Sequence, residues 1–539
     1  MYNAKISRRN FLKACGAAGA AALTLTACGS KETASSSAAS TVDAGSVEFP
    51  LEQSVQFTAL THQPSFAPQE PNDRLIVQRL EEATNVHIDW TVYVDDQFGE
   101  KKQLALAKKE LPDMVFDAQM SQYDLLRYSK DGTIIALDEL IDTYMPNLQA
   151  VLEARPEYRS LITAPDGHIY SFPWIEELGS GKTAIQAVGG IPFINKKWLD
   201  EMGLAMPQTT DELTEVLRAF KAAHPDSLPL SFVMNGGNED VCILLSSFGL
   251  GDNPDHYVVT NDKKVHYSLA EKDLLSGLEW LHSLYAEGLI DPEVFTHDYN
   301  TYVSKAASNR YGLFTAWDNT SAGTPSDYEA LPPLKNADGQ TNITRQNAMG
   351  FEIGRCVLTV TNPNPALAAR WIDQLYAPVQ SVQDNWGTYG DETMDNVFEL
   401  KADGTLKHLP IPQGVVPYEL RMKTNLGGPL AILDEYYGVY TTKPDDAMLR
   451  LDIMEQLYAP AMQCEYNYPP VFFDIDTTNR ITQIETDLKP YAEAQKAAWI
   501  MNGNTEAEWD GYIQHLEQLG LQELMDLKQS GLDSYFANM

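Results

Sequence analysis

Positive charge is scarce in this chain. Lys and Arg number 39 against 75 Asp and Glu, a formal net charge of −36. That balance excludes a nucleic-acid partner, because nothing would neutralise the phosphates. Cysteine is scarcer still, with five in 539 residues. Cys15 and Cys28 lie near the N-terminus, whereas Cys242, Cys356 and Cys464 are widely spaced in apolar or aromatic contexts. An odd, scattered set is neither a disulfide framework nor a zinc site. Free buried thiols are expected, with one disulfide as the alternative. Beyond the N-terminus no run of eighteen apolar residues occurs, so no further membrane span is expected. A Gly-x-Ser-x-Gly elbow, a His-Glu-x-x-His helix and paired cysteines are all missing. The segment Gly179 to Thr183 lacks the first glycine of a phosphate loop, Glu176 holding that place, and reads as a flexible inter-lobe loop. Gly249-Leu250-Gly251 meets Pro254 where a dinucleotide fingerprint needs glycine. Acidic pairs such as Asp95-Asp96, Glu176-Glu177 and Asp445-Asp446 read as solvated faces in so acidic a chain. No catalytic residue is assigned.

The N-terminus holds an address. Residues 1–27 carry Lys5, Arg8, Arg9 and Lys13, no acid, and a short Ala/Gly-rich apolar run. This is a signal peptide, too short for a stable span. Ser7-Arg8-Arg9-Asn10-Phe11-Leu12-Lys13 is similar to a twin-arginine export motif. Leu25-Thr26-Ala27-Cys28 is similar to a lipobox, which would leave Cys28 as a diacylated N-terminus. The Ser/Ala-rich remainder of 28–50 is expected to be a disordered tether. The protein is therefore placed at the extracellular face of the cytoplasmic membrane, touching the bilayer through its lipid only. Losing the four basic residues takes the net charge from −36 to −40, which a solvated acidic surface explains.

About 490 residues remain, enough for two or more lobes. Ser54 to Leu60 and Val86 to Val94 alternate as strands, and Pro112 to Asp117 is a short buried strand. Helical patterns at Asn72 to Thr84 and Glu100 to Lys109 separate them. This βαβαβ order predicts a mainly parallel sheet with helices on its faces. Ligands bind such sheets at the carboxyl ends of strands, which puts His62, Asp117 and Gln119 at a potential cleft. Asp166 to Trp174 suits a crossing between lobes. After it, Ile191 to Ile194 is apolar, Asn195 can cap a short helix, and Gly203 suits its left-handed end. Thr209 with Glu212 forms a capping box for a helix whose Leu213, Val216, Leu217 and Phe220 share one face. Asp273 to Glu287 reads as a helix, Tyr311 to Trp317 as a strand, Leu331 to Leu334 with Gly339 as a return crossing, Phe351 to Val360 as a strand and Asn364 to Tyr376 as a helix. The tail from Ile481 is helical.

Several phrases, in this order, carry a resemblance: Gly167-x-x-Tyr170-x-x-Pro173, the stretch 189–223, Gly288-Leu-Ile-Asp-Pro-Glu293, Asn385-Trp-Gly-Thr-Tyr-Gly390, and Trp499 to Asn504 followed by Glu508-Trp509 and Leu519-Gly-Leu521. Together they resemble the extracellular solute-binding protein family 1, carbohydrate ABC-import lipoproteins of the long Gram-positive branch. The loop at Asn385 departs from the pattern, its acidic residue falling later, at Asp391 or Glu392. The resemblance implies an α/β, two-lobed periplasmic-binding-protein-like fold of type II, each lobe a mixed sheet flanked by helices. Lobe 1 would be 51–172 plus about 325–400. Lobe 2 would be about 185–324 plus about 401–539 with the C-terminal helices. It also implies a monomer that captures a sugar or oligosaccharide by hinge closure and docks on ABC permease subunits, with no chemistry and no cofactor. The alternatives are an exported carbohydrate-active enzyme, and a receptor for a peptide or other small solute.

Sugar rings need a flat apolar surface and planar polar partners. Trp174, Trp317 and Trp386 fall at strand ends or loops, beside Glu177, Asp318-Asn319 and Asp391. In the family, the strand end matching Trp317 offers an aromatic to the ligand. The expected ligand-binding set is these three Trp with Asp117, Gln119, Glu177, Asp318, Asn319 and His62, and more weakly Tyr389 and Tyr299. Trp198, Trp280, Trp371, Trp499 and Trp509 read as core. Asp474, Asp476, Thr478, Thr482 and Glu485 take the spacing of a calcium loop, but Asn479 replaces its turn glycine. Helix capping by Asp476 or Thr477 explains the same residues and is favoured over calcium.

Overall fold

The computed structural model describes residues 48–108, 111–412, 415 and 417–537. The signal peptide, Cys28 and nearly all of the tether lie outside the described residues. Fourteen strands follow in chain order: β1 Val55–Gln63, β2 Val86–Val94, β3 Met114–Phe116, β4 Phe172–Glu176, β5 Ile191–Asn195, β6 Leu228–Ser231, β7 Tyr257–Val259, β8 Val265–Tyr267, β9 Tyr311–Ala316, β10 Tyr328–Ala330, β11 Phe351–Leu358, β12 Phe398–Leu400, β13 Leu406–His408 and β14 Leu430–Ile432. Two sheets organise two lobes. The first has the order β14-β4-β11-β3-β1-β2 and the second β10-β5-β9-β6.

Local chemistry explains the opening of each lobe. β1 pairs in parallel with both β2 and β3, as a βαβαβ unit requires. Its outer half alternates between buried and exposed, while its last five residues are all buried, the signature of a strand reaching the middle of a covered sheet. In lobe 2, the Asn195 side chain accepts from the Trp198 N–H at 3.1 Å and Gly203 is left-handed at φ 67°. Thr209 accepts from the Glu212 N–H at 3.1 Å, and the Glu212 carboxylate takes the Gln208 N–H at 2.7 Å. The helix Thr210–Ala223 buries Leu213, Val216, Leu217 and Phe220. The first core centres on Phe57, Val115, Phe172 and Trp371, and the second on Ile194, Leu217, Leu281 and Trp499. The tail helices Ile475–Asn502, Thr505–Leu519 and Leu521–Ala537 close the second core with Trp499, Tyr512, Leu516 and Leu524.

The lobe boundaries differ from the expectation in two places. β14 lies within the stretch assigned to lobe 2, yet it pairs in parallel with β4 at the edge of the first sheet. β10 lies beyond the expected return at 325, yet it pairs with β5 in the second sheet. Both strands are three residues long, and so short a run carries no signal of which sheet it joins.

Segments 177–190, 331–350 and 433–444 therefore cross between the sheets, and they hold one another. The Glu176 N–H donates to the Gly350 carbonyl at 2.8 Å, and the Glu177 N–H to the Ile432 carbonyl at 2.8 Å. Gly350 has φ +63°, and a β-carbon there would strike the Glu176 carbonyl, so glycine is required where two crossings touch. No helix among the described residues is long and apolar enough to cross a membrane.

Candidate functional site

Lobe 1 offers a polar group at the carboxyl ends of β1 and β3. His62 is buried, stacks on Phe98 at 4.4 Å, and binds Asp95 through Nδ1 at 2.7 Å. Its Nε2 lies 3.7 Å from Asp117. Asp117 and Gln119 are both left-handed, at φ 50° and 46°. The register of β11 against β4 shifts between Glu352 and Cys356, a bulge that re-aims the intervening side chains. Arg355, within that bulge, pairs with the Asp117 carboxylate and lies 5.6 Å over the Trp174 ring. The Trp174 indole N–H donates to Asn385 Oδ1 at 3.1 Å. The structure thus brings Trp174, Asp117 and His62 together around an arginine.

Lobe 2 offers Trp317, directly after β9. The Arg450 guanidinium lies 3.7 Å over its ring and donates to the carbonyls of Trp317 (2.8 Å), Ile185 (2.8 Å), Val188 (2.6 Å) and Gly189 (2.7 Å). Arg450 is almost wholly buried without a carboxylate partner, and burial lowers its pKa to about 9. Tyr299 is 57% exposed, and its phenol is pushed up by burial and then by the Glu239 and Asp318 carboxylates, which lie nearby. Burial also raises Glu239 to about 6.

A chain of contacts joins the two walls. Asp446 and Arg450 sit one turn apart on the helix Asp445–Ile453. Asp446 takes both hydrogen bonds of Arg421 Nη2, at 2.8 and 2.7 Å. Arg421, on the helix Pro417–Thr424, lies 4.3 Å over Trp386. Beside it, Glu176 Oε1 has no hydrogen-bond partner, and desolvation raises the carboxyl to about 7 against the pull of Arg421.

Four of the expected ligand contacts have other work. Glu177 spends its oxygens on Arg155 (2.8 and 2.9 Å), the Tyr158 hydroxyl (3.1 Å) and the Asp434 N–H (3.0 Å). Trp386 is buried in a small core with Val382, Phe398 and Leu430. Tyr389 lies under Arg79, 4.1 Å from its guanidinium. Asn319 ties its own turn, donating to the carbonyls of Pro325 and Tyr328 at 3.1 and 3.3 Å. In each case the partner is distant in sequence or the job is a turn that short-range pattern does not distinguish from a site. Asp318 in turn caps Thr320, accepting its N–H at 2.8 Å. Arg355, Arg421 and Arg450 were not singled out, Asp446 was read as part of a solvated acidic face, and Asn385 only as part of the loop to Gly390. Only the rarity of arginine in so acidic a chain could have drawn attention to the three arginines.

The calcium-loop spacing folds as helix. Asp474, rather than Asp476 or Thr477, is the cap, accepting the Thr477 N–H at 2.9 Å, and the rest of the spacing falls within Ile475–Asn502. Glu485 accepts the Tyr257 hydroxyl and neutralises Lys528 at 3.0 Å. Among the described residues no three His, Cys, Asp or Glu gather to hold a metal. Cys242, Cys356 and Cys464 are free thiols, the first two buried.

Residues 67–380 match the family model described as bacterial extracellular solute-binding protein. The chain belongs to this family. It is a binding protein, and the exported-enzyme alternative falls. Residues 5–24 match the twin-arginine translocation signal sequence, so this extracellular solute-binding protein carries an N-terminal export signal. The chain is 47% identical over 522 residues to the fructooligosaccharide ABC transporter substrate-binding protein FusA of Streptococcus pneumoniae serotype 4, covering 95% of this chain and 96% of that one. The structure of FusA in complex with kestose superposes with TM-score 0.82 at 46% identity, over 90% of this chain and all of that one. A second FusA structure, described as an EF-hand mutant in complex with fructo-nystose, also gives 0.82. A protein described as an HMO-binding, ABC-transporter-associated solute-binding protein from Bifidobacterium longum infantis shares the fold at 23% identity, with TM-score 0.74 over 89% of this chain and 99% of that one.

Proposed function

We propose that this solute-binding protein captures an oligosaccharide of the fructooligosaccharide class between its lobes and delivers it to an ABC importer, held at the membrane by lipid on Cys28. One observation carries the reading: each lobe presents a part-exposed indole, Trp174 in the middle of β4 rather than at the strand end expected of it, and Trp317 just past the end of β9, each with an arginine over its ring. An indole fixed on one side by a cation keeps its orientation and can receive the apolar C–H face of a sugar on the other. Asp117, Gln119 and His62 on lobe 1, and Asp318, Tyr299 and Glu239 on lobe 2, supply hydroxyl partners. Closure about the three crossings buries the sugar, and binding signals occupancy because the ligand favours the closed state. The Asp474–Glu485 segment contributes no calcium ligand to that capture, since its carboxylates cap a helix and neutralise a lysine.

The test is calorimetric titration of the purified protein with kestose. Stoichiometric binding that falls at least about fivefold in Trp317→Ala supports the reading, since a stacked aromatic contributes about 1 kcal/mol or more. Unchanged affinity in both Trp317→Ala and Trp174→Ala would refute the site.

A further inference from the structure

We infer that Phe66 and Tyr418 form an outer aromatic clamp on lobe 1 that grips the distal rings of a longer oligosaccharide and sets the preference for chain length. The inference rests on the oligosaccharide reading above. Large apolar side chains left in solvent are informative when they meet one another. Phe66 is 41% exposed and Tyr418 53% exposed, and their rings meet edge to face, with centroids 5.9 Å apart and planes at 74°. They come from separate elements. Phe66 lies three residues beyond the carboxyl end of β1, the end that carries His62. Tyr418 opens the helix whose Arg421 reaches Asp446 of the helix Asp445–Ile453. Both therefore border the gap between the lobes.

The surroundings are polar in the way a sugar rim needs. Asp95 and Asp117 both meet the His62 ring at the end of β1 that leads to Phe66, and burial first, then these carboxylates, raises the Tyr418 phenol. Asp95 has one oxygen on His62 and a side chain 42% exposed, so its other oxygen faces solvent. Two aromatic faces at a steep angle, flanked by two carboxylates, fit a ring that offers a C–H face to one aromatic, its edge to the other and hydroxyls to the acids. The chemistry of Trp174 and Trp317 recognises a sugar near the crossings, and the clamp adds contact only for rings that extend along lobe 1.

The experiment titrates the parent protein, Phe66→Ala, Tyr418→Ala and Tyr418→Phe with the di-, tri- and tetrasaccharide of the fructooligosaccharide series. Both alanine variants are expected to lower the ratio of tetrasaccharide to disaccharide affinity by about tenfold. Tyr418→Phe, which keeps the ring, is expected to retain most of it. A ratio unchanged in both alanine variants, or an equal loss at every length, overturns the clamp while leaving the oligosaccharide reading standing. Failure of the parent protein to bind any member of the series refutes that reading itself, and the clamp with it.

Discussion

Arg450→Met is the sharpest test of how the structure holds Trp317. The guanidinium donates to four backbone carbonyls and covers the indole at 3.7 Å, and the side chain is 1% exposed. Methionine fills much of the volume and supplies no donor. Each buried acceptor left unpaired costs ~1–3 kcal/mol. The sum is not realised, because removing an unpaired buried cation recovers its desolvation, visible in its fall to about 9. A net loss of about 4 kcal/mol follows. At roughly 1 °C per kcal/mol for a chain of this size, the melting temperature falls by about 4 °C. The indole also loses its brace, so sugar affinity falls by about fivefold, one cation–π contact of ~1 kcal/mol. Urea unfolding gives the first quantity and calorimetric titration the second. Arg450→Lys, with its charge kept but its fork lost, should lie between parent and Met. A Met variant within ~1 kcal/mol of the parent, with its affinity intact, would show that the four bonds and the stacking do not act as argued.

Other outcomes are expected. Glu176 has its folded-state pKa raised from 4.5 to about 7, so its contribution to stability is full below pH 4.5 and is lost as pH rises through 7. Glu176→Gln should therefore be more stable than the parent by about 2–3 kcal/mol at pH 8 and lose that advantage at pH 4.5; a difference equal at both pH values, read by urea unfolding, would refute the assignment. Gly350→Ala should cost more than ~1 kcal/mol, because the residue is left-handed and the new carbon meets the Glu176 carbonyl; a neutral melting curve would show that the crossing tolerates the shift. Asp474→Ala should cost ~1 kcal/mol as a lost helix cap, by the same amount in calcium and in chelator. A loss seen only in calcium would restore the metal reading.

How much was legible followed from the range of each interaction. The βαβαβ start of lobe 1 and the caps at Asn195 and Thr209 were readable because their partners lie within a few residues. Lobe 1 contributed Asp117, Gln119 and His62 for the same reason, since strand ends are local features with a general consequence. The Arg155 pairing of Glu177 and the burial of Trp386 beneath Arg421 were not legible, because both are set by packing between distant segments. The calcium spacing at Asp474 was equally ambiguous, since carboxylates and hydroxyls at those intervals serve a capped helix as well as a loop.

The sequence by itself determined the export signal, the α/β class and the residues at the ends of β1 and β3, because these depend on composition, periodicity and short-range order, and its ordered phrases carried the resemblance that implied the two-lobed family. Only the tertiary structure decided that β14 belongs to the first sheet, that Trp386 is core while Trp174 and Trp317 stay part-exposed, and that Arg450, Asp446 and Arg421 join the two walls. Those are contacts between residues far apart in the chain. Their energies come from burial and charge pairing, which no local pattern records.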